Sequence, residues 1–329
     1  MQKELIASAF ADGVRSKWAS SINVISKPAY KGVEDWLLKG NYSWVACTPK
    51  LITLGHSNRH TDFTAALASE ISRFSCAAYE SLLDAEPAAI SSKSLGWQCI
   101  RHYYAAFYIA HALLRITGCS LTYISSPTAA VMNKVAGQYL GVAPQIPGGL
   151  YLLKRGDVDK DTVTLQQLSS GGGSHQDMWR IFLQLLLSIE SSILGALGPI
   201  PSAMKAIEIS EKLRRTLCKQ GHNDGGWTST VRNAINYRQD FGVWYPYNKR
   251  PVYYEQASTR LRRWKPTDPN GFDIEPTGGE VNGLADVCSV MSQLLIAILK
   301  DISARAPDSR TCFVDRGAFQ FLRQRSVSF

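Results

Sequence analysis

Of the six histidines in the 329 residues, His175 stands where chemistry is easiest to build: it follows Gly171-Gly172-Gly173-Ser174, a hinge with Ser174 as the expected helix cap. An imidazole in a first helical turn lies near free backbone N–H groups that dock an anion, and the positive helix end keeps it neutral and able to take a proton. A plainer role is stacking on Trp179, four residues on, to close the helix start. A denser stretch runs from Gly221-His222-Asn223-Asp224-Gly225-Gly226-Trp227 to Tyr247 and holds Arg232, Asn236, Tyr237 and Arg238. On a helix Arg232 and Asn236 share one face and Asn233 and Tyr237 the next. Arginine grips phosphate with a planar fork and aromatic rings stack on bases, so the stretch predicts a phosphate- or base-binding surface. Its alternative is an aromatic plug over the core, held by an Arg–Asp pair such as Arg238 with Asp240. Arg260, Arg262, Arg263 and Lys265 surround Trp264 after Lys249-Arg250 and Tyr253-Tyr254. They read either as a nucleic-acid contact or as a solvated basic face.

Other chemistries are missing from the sequence. There is no Walker A loop, GxGxxG, HExxH or GxSxG elbow. The one His pair at ligand spacing, His56 and His60, brackets Ser57-Asn58-Arg59 in a stretch with no helical pattern, so neither a metal nor another cofactor is expected. The seven cysteines are scattered singly and odd in number, which points to reduced thiols and a cytoplasmic setting. A net charge of +9 favours RNA or another polyanion as partner, against the bland reading of charge spread for solubility. Gln184 and Glu190 interrupt the greasy run Ile181 to Ile200, so a buried helix and no membrane association is expected there.

The elements that must position these groups are mostly helical. Phe63, Leu67, Ile71, Phe74 and Ala78 recur at three and four residues after Thr61 and predict a helix to about Leu83, stopped at Glu86-Pro87. A second helix runs from after Ser91-Ser92 to about Thr117, apolar around most of its circumference, with Gly118 ending it. Further helices are expected over about 127–140, 175–194, 202–219, 228–238 and 282–305. The segments 150–153 and 162–165 flank a charged, Gly-containing turn and predict a small β-hairpin. Residues 1–60 form an uncertain N-terminal element, with a short helix at Asp35-Trp36-Leu37-Leu38 and a strand or buried turn at 43–47. The stretch 245–273 reads as irregular, and Gly198-Pro199-Ile200-Pro201 separates a lobe over 61–198 from one over 202–329. The fold class expected is mainly α, a helical bundle with a small β-hairpin insertion near 150–166.

Within the second helix, Arg101-His102-Tyr103-Tyr104-Ala105-Ala106-Phe107, followed by Ala110 and leucines, resembles the signature helix of HEPN domains. The resemblance covers about twenty residues and extends loosely over 60–200. It implies a helical homodimer serving prokaryotic defence or toxin–antitoxin systems, and a metal-independent ribonuclease with an Arg-x4–6-His motif. The matching spacing here is Arg215 to His222, with Thr after the arginine and the histidine beyond a glycine, which departs from the motif. In such chemistry imidazole exchanges a proton with the 2′-hydroxyl or leaving oxygen while guanidinium holds the phosphate. The expected site therefore gathers Arg101, His102, His175, Arg232, Asn236 and Tyr237, with Arg215 and His222 as the motif-based alternative. Two other functions fit the same residues: a non-catalytic module binding a partner protein or nucleotide, and a nucleic-acid adaptor using Arg260 to Lys265.

Overall fold

The architecture was analysed in a computed structural model that describes residues 2–19, 21–25, 30–48, 51–56, 61–85, 95–141, 144–156, 162–168, 173–247, 254–305 and 311–328. Of the segments singled out in the sequence, His60, Glu86-Pro87, Ser91-Ser92, Gly171-Gly172, Lys249-Arg250 and Tyr253 lie outside the described residues.

Two long helices form the centre. Helix α3 (Asp62–Asp84) buries Phe63, Leu67, Ile71 and Ala78 along one stripe, as its three-and-four spacing requires. Helix α4 (Gly96–Ile116) is buried on most sides, and Ala105, Ala106 and Ala110 are fully enclosed, which lets neighbouring backbones approach closely. Gly118 takes a positive φ of 78° just beyond it, the left-handed turn that a helix stop demands. The packing partner on α4's other flank is α10 (Glu280–Arg305), with Leu284, Val287, Met291, Leu295 and Leu299 in its stripe. The N-terminal α1 (Gln2–Arg15) packs on α6 (Gly173–Leu197), α7 (Pro201–Leu217) and α10. Residues on both sides of the Gly198–Pro201 junction thus enter one buried cluster.

Helix α6 buries Met178, Trp179, Phe182, Leu186 and Ile193 but leaves Leu187 and Leu194 exposed, so its apolar run is buried on one face only. By length and composition alone, α6 and α10 are apolar enough to cross a membrane; the α10 stretch is 89% buried inside the protein and the α6 stretch 33%.

The protein is 66% helical, with eleven helices among the described residues, but a five-stranded antiparallel sheet overturns the expected bundle with a small hairpin. The strands are β1 (Tyr42–Cys47), β2 (Ile52–His56), β3 (Cys119–Ile124), β4 (Gly149–Arg155) and β5 (Thr162–Gln167), in the order β1-β2-β5-β4-β3. The β4–β5 hairpin forms, with Leu153 opposite Leu165, but β2 pairs with the outer edge of β5 and β3 with that of β4. A lone hairpin would leave two rows of backbone donors and acceptors unpaired and be marginal in water. Of the added strands, β1 forms at 43–47, where a strand or buried turn is expected, whereas β2 and β3, five and six residues long, have no turn signal in the sequence to pair them with the hairpin.

Two further differences are local. The 245–273 stretch contains helix α9 (Tyr254–Leu261), because Ala257 and Leu261 bury one face of it. The helix from 228 splits into α8 (Trp227–Asn233) and a π turn over Ala234–Arg238. The wider i→i+5 turn breaks the four-residue spacing that was to align Asn236 with Arg232.

Candidate functional site

The centre of the site is the hydroxyl of Tyr103, fully buried on α4. It lies 2.7 Å from His175 Nδ1, 2.8 Å from Ser229 Oγ, and accepts a longer bond of 3.4 Å from Trp179 Nε1–H. These partners come from the first two turns of α6 and the start of α8. A phenol has one hydrogen to give. Tyr103 therefore donates either to Ser229, leaving Nδ1 protonated and Nε2 a base, or to His175, leaving Nε2–H a donor. Nε2 itself has no hydrogen-bond partner among the described residues.

His175 is half-buried, with its ring stacked 4.3 Å from Phe107 and 5.8 Å from Tyr103. The expected stacking on Trp179 gives way to these α4 rings. Above the two tyrosines sits Arg232, whose guanidinium carbon is 5.0 Å from the Tyr103 ring and 5.7 Å from that of Tyr104. Its Nε is buried without a hydrogen-bond partner. Cation–π contact over the two rings holds the planar guanidinium in place. Burial, then the Arg232 charge, lower the His175 pKa from its ordinary value. Burial raises that of Tyr103, while Ser229, Trp179 and Arg232 draw it back down. At neutral pH the site thus presents an uncharged imidazole beside a fixed cation, and with Tyr103 donating to Ser229 its Nε2 is a base.

Beneath Phe107 lies a second, sealed layer. His111 stacks on Phe74 at 4.8 Å and packs edge-on against Phe107 at 4.7 Å. Its Nδ1 accepts a bond of 3.0 Å from Arg115, whose guanidinium also pairs with Glu70 and donates to the carbonyls of His111 and Leu121. Glu70 in turn accepts the Val33 N–H at 2.9 Å. Burial foremost, then the charge of Arg115 and the neighbouring His175, hold the His111 pKa well below 6.5.

These two histidines make stability fall with acid. The unfolded chain takes up protons as pH drops through about 6.5, while the folded sites resist them. Their contribution is full above that pH and lost on going down towards the folded values. The melting temperature is expected to fall between pH 7.5 and 5.5, and His111→Gln should flatten that slope. An unchanged slope in the variant would show that His111 is not the group responsible.

The other expected site residues are placed apart. His102 is buried about 100° around α4 from Tyr103, its ring nitrogens 2.8 Å from the Gln98 carbonyl and 2.7 Å from that of Leu261, so it fastens α4 to α9. Arg101 is exposed and turns to the end of α3, bonding the Asp84 carbonyl with the Asp84 carboxylate at 3.7 Å. Arg215 is exposed on α7 and His222 half-buried beyond the next turn; no hydrogen bond joins them. Asn236 is half-buried and Tyr237 exposed on the π turn, while Arg238 pairs with Asp240 at 3.0 Å.

The basic segment is bolted to α10: Trp264 is buried, Gln293 Nε2 donates to the carbonyls of Arg263, Trp264 and Lys265, and Arg260 pairs with Asp286 at 2.8 Å. Arg262 is exposed and donates to Ser258 Oγ. A cavity of about 1160 Å³ opens beside Arg260, Arg263 and Asp286. Volume alone does not make it the better site, because Arg260 is already neutralised by its carboxylates.

Sequence reasoning chose His175 and Arg232 and missed what joins them. Tyr103 was singled out only as part of the HEPN-like helix, and Ser229, 126 residues from it, carried no signal at all. No protein-family model, curated protein or solved structure matches the chain.

Proposed function

We propose that the chain is an RNA-targeting protein that cleaves phosphodiester bonds without a metal, through His175 and Arg232. The observation that carries the proposal is a half-buried imidazole, its pKa lowered by burial and by Arg232, whose Nδ1 is held by Tyr103 and whose Nε2 has no hydrogen-bond partner among the described residues, beside a guanidinium stacked over Tyr103 and Tyr104. In the proposed step Nε2 removes the proton of a ribose 2′-hydroxyl. The 2′-oxygen bonds to phosphorus as the P–O5′ bond breaks, and the 5′-oxygen takes a proton from solvent. Arg232 neutralises the charge that builds on the non-bridging oxygens. The products are a 2′,3′-cyclic phosphate and a 5′-hydroxyl, which follows for any cleavage driven by the 2′-oxygen. A setting in prokaryotic defence or toxin–antitoxin systems rests on the HEPN resemblance of the Tyr103-Tyr104-Ala105-Ala106-Phe107 helix.

The test is incubation of purified protein with total RNA in chelator, alongside the His175→Ala Arg232→Ala double variant. Cleavage by the parent that is lost in the variant, with cyclic-phosphate ends, supports the reading. Cleavage that persists in the variant discards the site. A non-catalytic binding module is the second reading, favoured by the engagement of Arg101 with Asp84 away from His175. RNA binding with no cleavage by the parent selects it.

A further inference from the structure

Five large aromatic side chains are strongly exposed among the described residues: Trp97, Tyr123, Tyr139, Tyr237 and Tyr245. Three of them, Trp97, Tyr237 and Tyr245, collect at one end of the candidate site. Trp97 is 63% exposed in the first turn of α4, and its ring meets Trp244 edge-on at 5.6 Å. Trp244 is anchored from behind by its Nε1–H bond of 2.8 Å to the Ile235 carbonyl in the π turn. That turn packs on α4 and carries Tyr237, 73% exposed. Tyr245, 80% exposed, follows Trp244 directly.

Helical spacing ties this patch to the chemistry. Residues 97, 101, 104 and 108 lie within a narrow arc of one α4 face, at steps of four, three and four. Trp97 and Tyr104 are two turns apart, about 10 Å along the axis. Tyr104 is the ring over which Arg232 sits, it lies 6.2 Å from His175, and Tyr108 continues the line at 6.3 Å. The face therefore runs from an exposed indole to the imidazole and the stacked guanidinium, while Arg101 within it is turned to Asp84. Flat rings leading to a stacked cation match a strand of bases joined by phosphates. A duplex offers no such contact, because its bases are already stacked on one another.

We infer that this α4 face is a track for single-stranded RNA, on which Trp97 and Tyr237 stack bases adjoining the phosphate held by Arg232. The inference rests on the proposed function and adds the substrate class: an unpaired strand rather than a duplex, chosen by stacking rather than by base-edge hydrogen bonds.

Fluorescence anisotropy tests it with fluorescein-labelled oligouridylate and a blunt RNA duplex of equal length, on the His175→Ala protein so that RNA survives. The single strand should bind more tightly. Trp97→Ala and Tyr237→Ala should each weaken it about 5- to 150-fold, with an unchanged salt dependence, because the lost contact carries no charge. Trp97→Phe should restore most of the affinity. Because both side chains are exposed, far-UV circular dichroism melts should match the parent. If Arg232→Ala weakens binding and both aromatic variants leave it unchanged, the track is overturned and the phosphate clamp survives. Equal affinity for duplex and single strand also overturns it. Binding of neither RNA overturns the track and the proposed function together. Loss of self-association in Trp97→Ala at unchanged RNA affinity makes the face a protein interface instead.

Discussion

Arg115→Met is expected to destabilise the protein by about 3–5 kcal/mol, the cost of leaving one member of a buried ion pair uncompensated. Arg115 is 2% exposed and Glu70 7%. The guanidinium joins four elements: Glu70 on α3, His111 on α4, the Leu121 carbonyl on β3 and, through Glu70, the Val33 N–H at the start of α2 (Val33–Lys39). Its planar fork also lies 4.5 Å from the Phe74 ring, a contact that lysine would not reproduce. Methionine fills much of the volume, so the loss is chiefly electrostatic. Glu70 then remains as a buried carboxylate with only backbone and the more distant Arg73 to answer it. Urea titration should show a lower midpoint at an unchanged slope. Adding Glu70→Leu should recover part of the loss, since an apolar pair tolerates burial better than half an ion pair. Recovery stays incomplete because the Val33 N–H and Leu121 carbonyl are left without side-chain partners, at about 1–3 kcal/mol for each unsatisfied group. A midpoint unchanged in Arg115→Met would mean that the network contributes nothing to stability.

That network also marks where sequence reasoning loses its grip. A basic residue in the last turn of α4 reads as a favourable charge at the helix end, and nothing local announces a partner 45 residues upstream. The helices themselves were legible, because long apolar stripes such as those of α3 and α10 repeat often enough to be unambiguous. The sheet was not. β1, β2 and β3 are five or six residues each, and their pairing is decided by which backbone edges the β4–β5 hairpin leaves open. At the site, His175 and Arg232 stood out because unusual residues occur beside glycines and aromatics. Grouping Arg101 and His102 with them was avoidable: adjacent helical residues point about 100° apart, so they cannot both face what Tyr103 faces. Tyr103 as the joining group was out of reach, since only the assembled α4, α6 and α8 bring its hydroxyl to both His175 and Ser229.

The chemistry of that assembly gives the second large effect. Arg232→Ala should lower kcat for RNA cleavage by about 10²–10³-fold, the usual loss when one fixed donor to a charged transition state is removed. His175→Ala should cost about 10²–10⁴-fold, the range for a general base. The double variant should fall well short of the product, because the two groups act on one phosphate as a unit. Arg232→Lys keeps the charge but not the fork or the flat contact with Tyr103 and Tyr104, so it should lie between parent and alanine variant. The pH profile separates the roles. His175 acts unprotonated, and its proton affinity is lowered first by burial and then by Arg232. The acidic limb of kcat/KM in the parent should therefore lie below the ordinary imidazole value of 6.5. Removing the Arg232 charge should move that limb to higher pH, towards 6.5 but not beyond, since burial remains. A merely structural arginine would lower the rate and leave the limb where it was. A parent profile with no acidic limb near this range would remove His175 from the role of base, and its Nε2 would then serve binding alone.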